Sequence, residues 1–192
     1  MFFILVRILI IPFFFLFYPT IHKGKKNIPK GRAIFVCNHM SNLDPIIFEL
    51  SSWKKKYYLA KKELFKKGFK GWFVSKMNTI PVERGKTDLN AMRKSLKVLN
   101  DDKGLVVFPE GTRNKTGKEL GEIKSGAAMF AIKAKAPIVP VWIKKKPKFF
   151  RFNVLRYGKP FTLEQFYDKK LDSEVLEKAG KIIAQKLLEN KI

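Results

Sequence analysis

AIFVCNHMSNLDP, residues 33–45, reads as a buried strand that empties into a polar turn and then starts a helix. Ala33 to Cys37 is an unbroken apolar run with β-branched and aromatic members, too short for a helix, which is the pattern of a strand covered on both faces. Asn38, His39, Ser41, Asn42 and Asp44 follow directly, and Ser, Asn and Asp favour turns because their side chains bond the local backbone. Pro45 is suited to the first turn of a helix. Strand, loaded loop and helix in that order form the building unit of an α/β sheet.

The rest of the chain repeats the unit. LVVFP (Leu105 to Pro109) is a second apolar strand, and it runs into the polar loop Glu110-Gly111-Thr112-Arg113-Asn114. Between the two strands, Thr87 and Asp88 offer a cap for a helix with Leu89, Met92, Leu96 and Leu99 at helical spacing, and Gly104 soon stops it. Residues 122–135 form a second helical pattern rich in small residues (Ala127, Ala128, Ala131, Ala134), and PIVPVWI (Pro137 to Ile143) reads as another inner strand. FFRFNVLRYG, residues 149–158, has the look of a hairpin, and residues 172–190 close the chain with an amphipathic helix carrying Leu176, Ala179, Ile183 and Leu187. The expected class is α/β: a mixed, largely parallel sheet flanked by helices in one domain over residues 23–192. An N-terminal hydrophobic, membrane-associating segment over residues 1–22 precedes it.

Composition narrows the partners. Lys plus Arg number 40 against 16 for Asp plus Glu, so a net charge of +24 must attract polyanions: nucleic acid, anionic lipid or an acidic carrier protein. A hydrophobic fraction of 46% with 18 Phe excludes a disordered basic tail. The single cysteine, Cys37, excludes an internal disulfide framework, and with two histidines it leaves little material for a zinc site. Phe2 to Tyr18 is nearly continuous apolar sequence broken by Arg7 and Pro12. As a helix it falls short of a hydrocarbon core of about 30 Å, and Arg7 would be costly at depth, so shallow insertion is expected rather than a clean span. Lys23, Lys25, Lys26 and Lys30 come next, a placement that favours the cytoplasmic, anionic leaflet.

His39 and Asp44 are the first candidates for chemistry. On a helix their separation would turn them about 140° apart, so they meet only if the segment folds back as a turn. A carboxylate that accepts one ring N–H fixes the tautomer and leaves the other nitrogen free to take a proton, worth about 10²–10⁴ in rate for a general base. Asp44 before Pro45 is equally a helix N-cap, and Cys37, at the end of an apolar strand, reads as an inert core thiol. In the second loop Gly111 permits a tight turn and Arg113 offers a planar fork for phosphate oxygens. Arg84 follows the extended run Thr79 to Val82 and precedes Gly85. Gly111 to Gly117 is one residue too long for a Walker loop, and no Gly-x-Ser-x-Gly elbow exists.

Taken in order, NHMSNLDP, IPVER, FPEGTRN and VPVWI resemble the four sequence blocks of the glycerolipid acyltransferase family, typified by 1-acylglycerol-3-phosphate acyltransferases. The resemblance implies that His39 is the general base and Asp44 its orienting partner. It implies that Arg84, Glu110, Gly111, Thr112 and Arg113 bind the acceptor's phosphate, with Asn38 shaping the turn, and that the last block borders the acyl pocket. No metal or prosthetic group is implied. The reaction would move an acyl chain from acyl carrier protein, coenzyme A or acyl phosphate to the sn-2 hydroxyl of lysophosphatidate, giving phosphatidate at the cytoplasmic face of the cell membrane. A monotopic or single N-terminal anchor would hold the chain there. Glycerol-3-phosphate or another lysophospholipid is the alternative acceptor. A nucleic-acid-binding module, suggested by Lys144, Lys145, Lys146 and Lys148 beside Phe149 and Phe150, is the alternative class, although nucleic acid is not the expected partner.

Overall fold

A computed structural model describes residues 8, 12, 14–49, 55–83, 88–114 and 118–192. In chain order the elements are β1 (Thr20–Lys23), β2 (Ala33–Cys37), α1 (Asp44–Glu49), β3 (Lys56–Lys61), α2 (Phe69–Lys76), β4 (Thr79–Val82), α3 (Leu89–Asn100), β5 (Gly104–Val107), α4 (Gly126–Ala134), β6 (Ile138–Ile143), β7 (Asn153–Tyr157) and α5 (Ser173–Glu189). Among the described residues the strands form one seven-stranded sheet in the order β1-β7-β6-β2-β5-β3-β4. From β6 to β4 the neighbours are parallel; β7 runs antiparallel to β6 and parallel to β1, which makes the sheet mixed.

Side-chain alternation along β2 explains the layers. All five of its residues are buried: Ile34 and Val36 face one core layer, while Ala33, Phe35 and Cys37 face the other. The first layer is closed by α3, α4 and α5, where Ala127, Ala128, Ala131 and Ala134 let the helix approach the sheet closely. The second is closed by α1 through Ile47 and Phe48, with Phe14 packed at its margin. Pro81, which has no N–H to donate, sits in β4 at the sheet edge, where one missing bond is tolerated.

Three details differ from the sequence expectation. Leu89 is exposed, and α3 buries Ala91, Ser95, Val98 and Leu99 instead. Asp88 caps the helix by accepting from the Ala91 N–H at 2.9 Å, and ten residues at about 100° each rotate Leu89 roughly 80° away from Leu99. The hairpin forms between β6 and β7, with Ile143 opposite Leu155 and residues 144–152 as its connection. Phe150, at φ 51°, breaks the extended run that would otherwise have made FFRF a strand. Third, the sheet begins at Thr20, which pairs with Asn153, so residues 20–22 belong to it. Most of the apolar run before Tyr18 lies outside the described residues, and among the described residues no helix is long and apolar enough to cross a membrane.

His22 on β1 carries a buried Nδ1 with no partner, and burial, reinforced by Lys25 and Lys56, pushes its pKa down to about 4. An unfolded histidine titrates near 6.5. Between those values the unfolded chain binds the extra proton, so the fold is at full strength above the unfolded pKa and weakens as pH falls toward 4. His22→Phe is expected to flatten that acid limb, measured as the difference between urea midpoints at neutral and mildly acidic pH; an unchanged difference would show that other groups govern it.

Candidate active site

The three loops that the sequence singles out leave the same edge of the sheet. β2, β4 and β5 are parallel, so His39, the segment carrying Arg84, and Glu110 all follow carboxyl ends of strands, where open α/β sheets hold their ligands. β2 and β5 are neighbours, which brings His39 and Glu110 together although 71 residues separate them.

Residues 38–43 are not helical, and the turn returns Asp44 to His39: His39 Nδ1 and Asp44 Oδ2 are 2.9 Å apart. The same oxygen accepts the backbone N–H groups of Met40 and Ser41, each at 2.7 Å. Asp44 is wholly buried, and its other oxygen, Oδ1, has no partner. The carboxylate therefore reaches back into the turn rather than forward to cap α1. With Nδ1 taken as a donor, Nε2 is the nitrogen left to accept a proton. Phe108 stacks on the imidazole with centroids 4.2 Å apart, and 15% of the His39 side chain remains exposed. The ring is held by Asp44 and by Phe108 and is not fully buried.

The loop after β5 grips the His39 backbone. Glu110 Oε1 accepts the His39 N–H at 2.9 Å, and the Asn114 N–H donates to the His39 carbonyl at 2.7 Å. Glu110 Oε2 accepts the Gly121 N–H at 2.8 Å, and a Cβ at Gly121 would lie 2.6 Å from that oxygen, so any other residue there would make the carboxylate shift. Both Glu110 oxygens thus point inward at backbone donors, while Thr112 and Arg113 are exposed. Gly111 turns at φ 67°, and the stem of Lys124 lies against it, with Cδ 3.1 Å from where a Cβ would stand.

Asn38 bonds β6 through both ends of its amide: Nδ2 donates to the Ile143 carbonyl at 3.1 Å and Oδ1 accepts the Ile143 N–H at 2.7 Å. It pins the turn to the neighbouring strand. Arg84 lies outside the described residues, but Asp88 ties the two flanks of its segment by accepting from Glu83 N–H at 3.0 Å and from Ala91 N–H at 2.9 Å. Burial pushes the Cys37 thiol up, with Asp44 and Glu110 adding to the effect, so it stays protonated and offers no nucleophile. Sequence reasoning missed Phe108, Asn114, Gly121 and Lys124. Each acts through a contact with a distant segment, and the one local signal was the excess of polar residues and glycine around FPEGTRN.

Comparisons with known proteins point to one family. The family described as Acyltransferase covers residues 20–144. A chloroplastic 1-acyl-sn-glycerol-3-phosphate acyltransferase of Brassica napus is 32% identical over 130 residues, 65% of this chain and 37% of its own length. The enzyme of that name from Saccharomyces cerevisiae is 32% identical over 161 residues, 77% of this chain and 53% of its own. The crystal structure of the 1-acyl-sn-glycerophosphate acyltransferase PlsC from Thermotoga maritima superposes with a TM-score of 0.66 at 28% identity, covering 92% of this chain and 74% of that one. This chain thus spans between a third and just over half the length of the curated relatives it matches.

Glu110→Gln replaces one acceptor by a donor that faces a backbone N–H. The expected cost is about 1–3 kcal/mol, from a lost bond and an unpaired buried group, read as a lower urea midpoint. An unchanged midpoint would mean that this carboxylate does not hold the two loops together.

Proposed function

This chain belongs to the acyltransferase family, and from that premise we propose that it transfers a fatty acyl group from an acyl thioester to the sn-2 hydroxyl of 1-acylglycerol-3-phosphate, forming phosphatidate. The observation that carries the proposal is the His39–Asp44 pair, hydrogen-bonded through Nδ1 with the side chain still 15% exposed, its backbone clasped by the Glu110–Asn114 loop.

His39 Nε2 takes the proton of the acceptor hydroxyl as its oxygen attacks the acyl carbonyl, and Asp44 stabilises the imidazolium that forms. The tetrahedral intermediate then collapses, the carbon–sulfur bond breaks, and the imidazolium returns its proton to the leaving thiolate. No covalent acyl-enzyme forms. Asn38 and Glu110 are positioning residues in this scheme, since their polar atoms are engaged on the protein backbone. Arg113 and Arg84 are the guanidinium groups for the phosphate, and Lys124, whose stem crosses Gly111, adds a third cation. Fixing the phosphate places the hydroxyl against His39, and such positioning can rival proton transfer in its effect.

The donor is a thioester of acyl carrier protein or coenzyme A, and the charge of +24 suits both as well as an anionic lipid surface. A membrane-associating N-terminal segment at the cytoplasmic face would keep the domain beside an acceptor and a product that both reside in the bilayer.

With lysophosphatidate and an acyl thioester, the purified protein is expected to release free thiol, and His39→Ala to abolish release while circular dichroism stays unchanged. Asp44→Asn keeps the shape but removes the charge, and kcat should fall by about 10²–10⁴. A fully active His39→Ala protein would remove the general base from the scheme.

A further inference from the structure

Residues 144–152, the connection between β6 and β7, play no part in the mechanism above. Phe149, Phe150 and Phe152 are 58%, 72% and 68% exposed, an unusual arrangement for three neighbouring rings in water. Lys144, Lys145, Lys146 and Lys148 are exposed around them, whereas Pro147 is buried and roots the turn. Phe150 is held at φ 51°, a region that bulky residues rarely occupy, and its N–H donates to the Phe17 carbonyl at 2.8 Å. The turn is a built shape.

Its position in the fold gives it a use. β6 and β2 are parallel, and Asn38, next to His39, is bonded to Ile143, the last residue of β6. The turn begins one residue later, so it rises from the edge of the sheet at which His39 opens. β1 starts at that edge too, because Thr20 pairs with Asn153. This brings in the end of the apolar N-terminal run: Phe17 lies 5.5 Å from the rings of both Phe149 and Phe150, and Tyr18 lies 4.7 Å from Phe149. Phe15 and Leu16 are exposed beside them.

We propose that the Phe149–Phe152 turn, together with residues 15–18, inserts into the interfacial region of an anionic bilayer and sets the mouth of the His39 site against the lipid surface. Aromatic rings fit the headgroup boundary, and each lysine near an anionic surface strengthens binding by about fivefold. Continuity with an apolar stretch favours a bilayer over nucleic acid. The edge-to-face packing of Phe17, Phe149 and Phe150 supports the same choice, since base stacking needs separate open ring faces. The orienting role rests on the acyltransferase reading, whereas bilayer binding does not.

The test uses the full chain with phosphatidylcholine vesicles, with and without phosphatidylglycerol. The F149S/F150G/F152S protein keeps the fold, because glycine accepts the backbone angle that strains Phe150. Its vesicle affinity is expected to fall at least tenfold, by an order-of-magnitude reading of the apolar area removed. K144S/K145S/K148S should lose affinity for the anionic vesicles only. Acyl transfer to a short-chain, monomeric lysophosphatidate should stay within about twofold in both variants, so loss of bilayer contact is separated from loss of chemistry. As a check independent of stability, F152W fluorescence should be quenched by brominated lipid beyond the wild-type level. Sedimentation of the aromatic variant like wild type, or no added quenching, overturns the proposal. So does weakened oligonucleotide binding with intact vesicle binding. Were the wild-type protein to bind vesicles through this turn yet transfer no acyl group, the acyltransferase reading would fail and this one would stand.

Discussion

One oxygen of Asp44 accepts three hydrogen bonds in a site that water does not reach, from the His39 ring and from the backbone of Met40 and Ser41. A buried carboxylate is costly unless its hydrogen bonds are made, and here the donors come from the turn that delivers the histidine. Closing the turn and orienting the imidazole are therefore one event. The bonds that stabilise the charge also draw residues 39–41 around it, and Nε2 is the ring nitrogen left over.

That local closure works because the sheet supplies its boundary conditions. Parallel pairing of β2 with β5 puts the Glu110 loop beside His39, and parallel pairing of β2 with β6 puts Ile143 within reach of Asn38. The His39 peptide is consequently held at its N–H by Glu110, at its carbonyl by Asn114, and through the preceding residue by β6. A general base that moves by an ångström loses much of its advantage, and in the proposed mechanism these bonds restrict that movement without engaging Nε2. Conserving charge balance is part of the same arrangement: Glu110 turns its negative charge inward to backbone donors, which leaves Arg113 and Lys124 to define the outward field.

Positive charge and aromatic surface share the edge at which the strands end. The lysines and phenylalanines of residues 144–152 belong to a connection between strands, in keeping with loops that carry function on a rigid sheet. β6 delivers the aromatic turn to this edge, and the reversed strands β7 and β1 bring the start of β1 beside it; with both parallel to β6, β1 would start at the far end of the sheet from His39.

The strand at Ala33 to Cys37, the cap at Asp88, the helix after Asp172 and the pairing of His39 with Asp44 were all legible, because each depends on residues a few positions apart whose period or turn chemistry is local. The inward direction of Glu110, the engagement of Asn38 by a strand 105 residues away and the exposed face of Leu89 were not legible. Sequence alone determined which polar side chains are delivered to the ends of strands. Tertiary structure decided which of them point at protein backbone and which at solvent, since strand order and register, set by packing over the whole sheet, choose the partner each side chain meets.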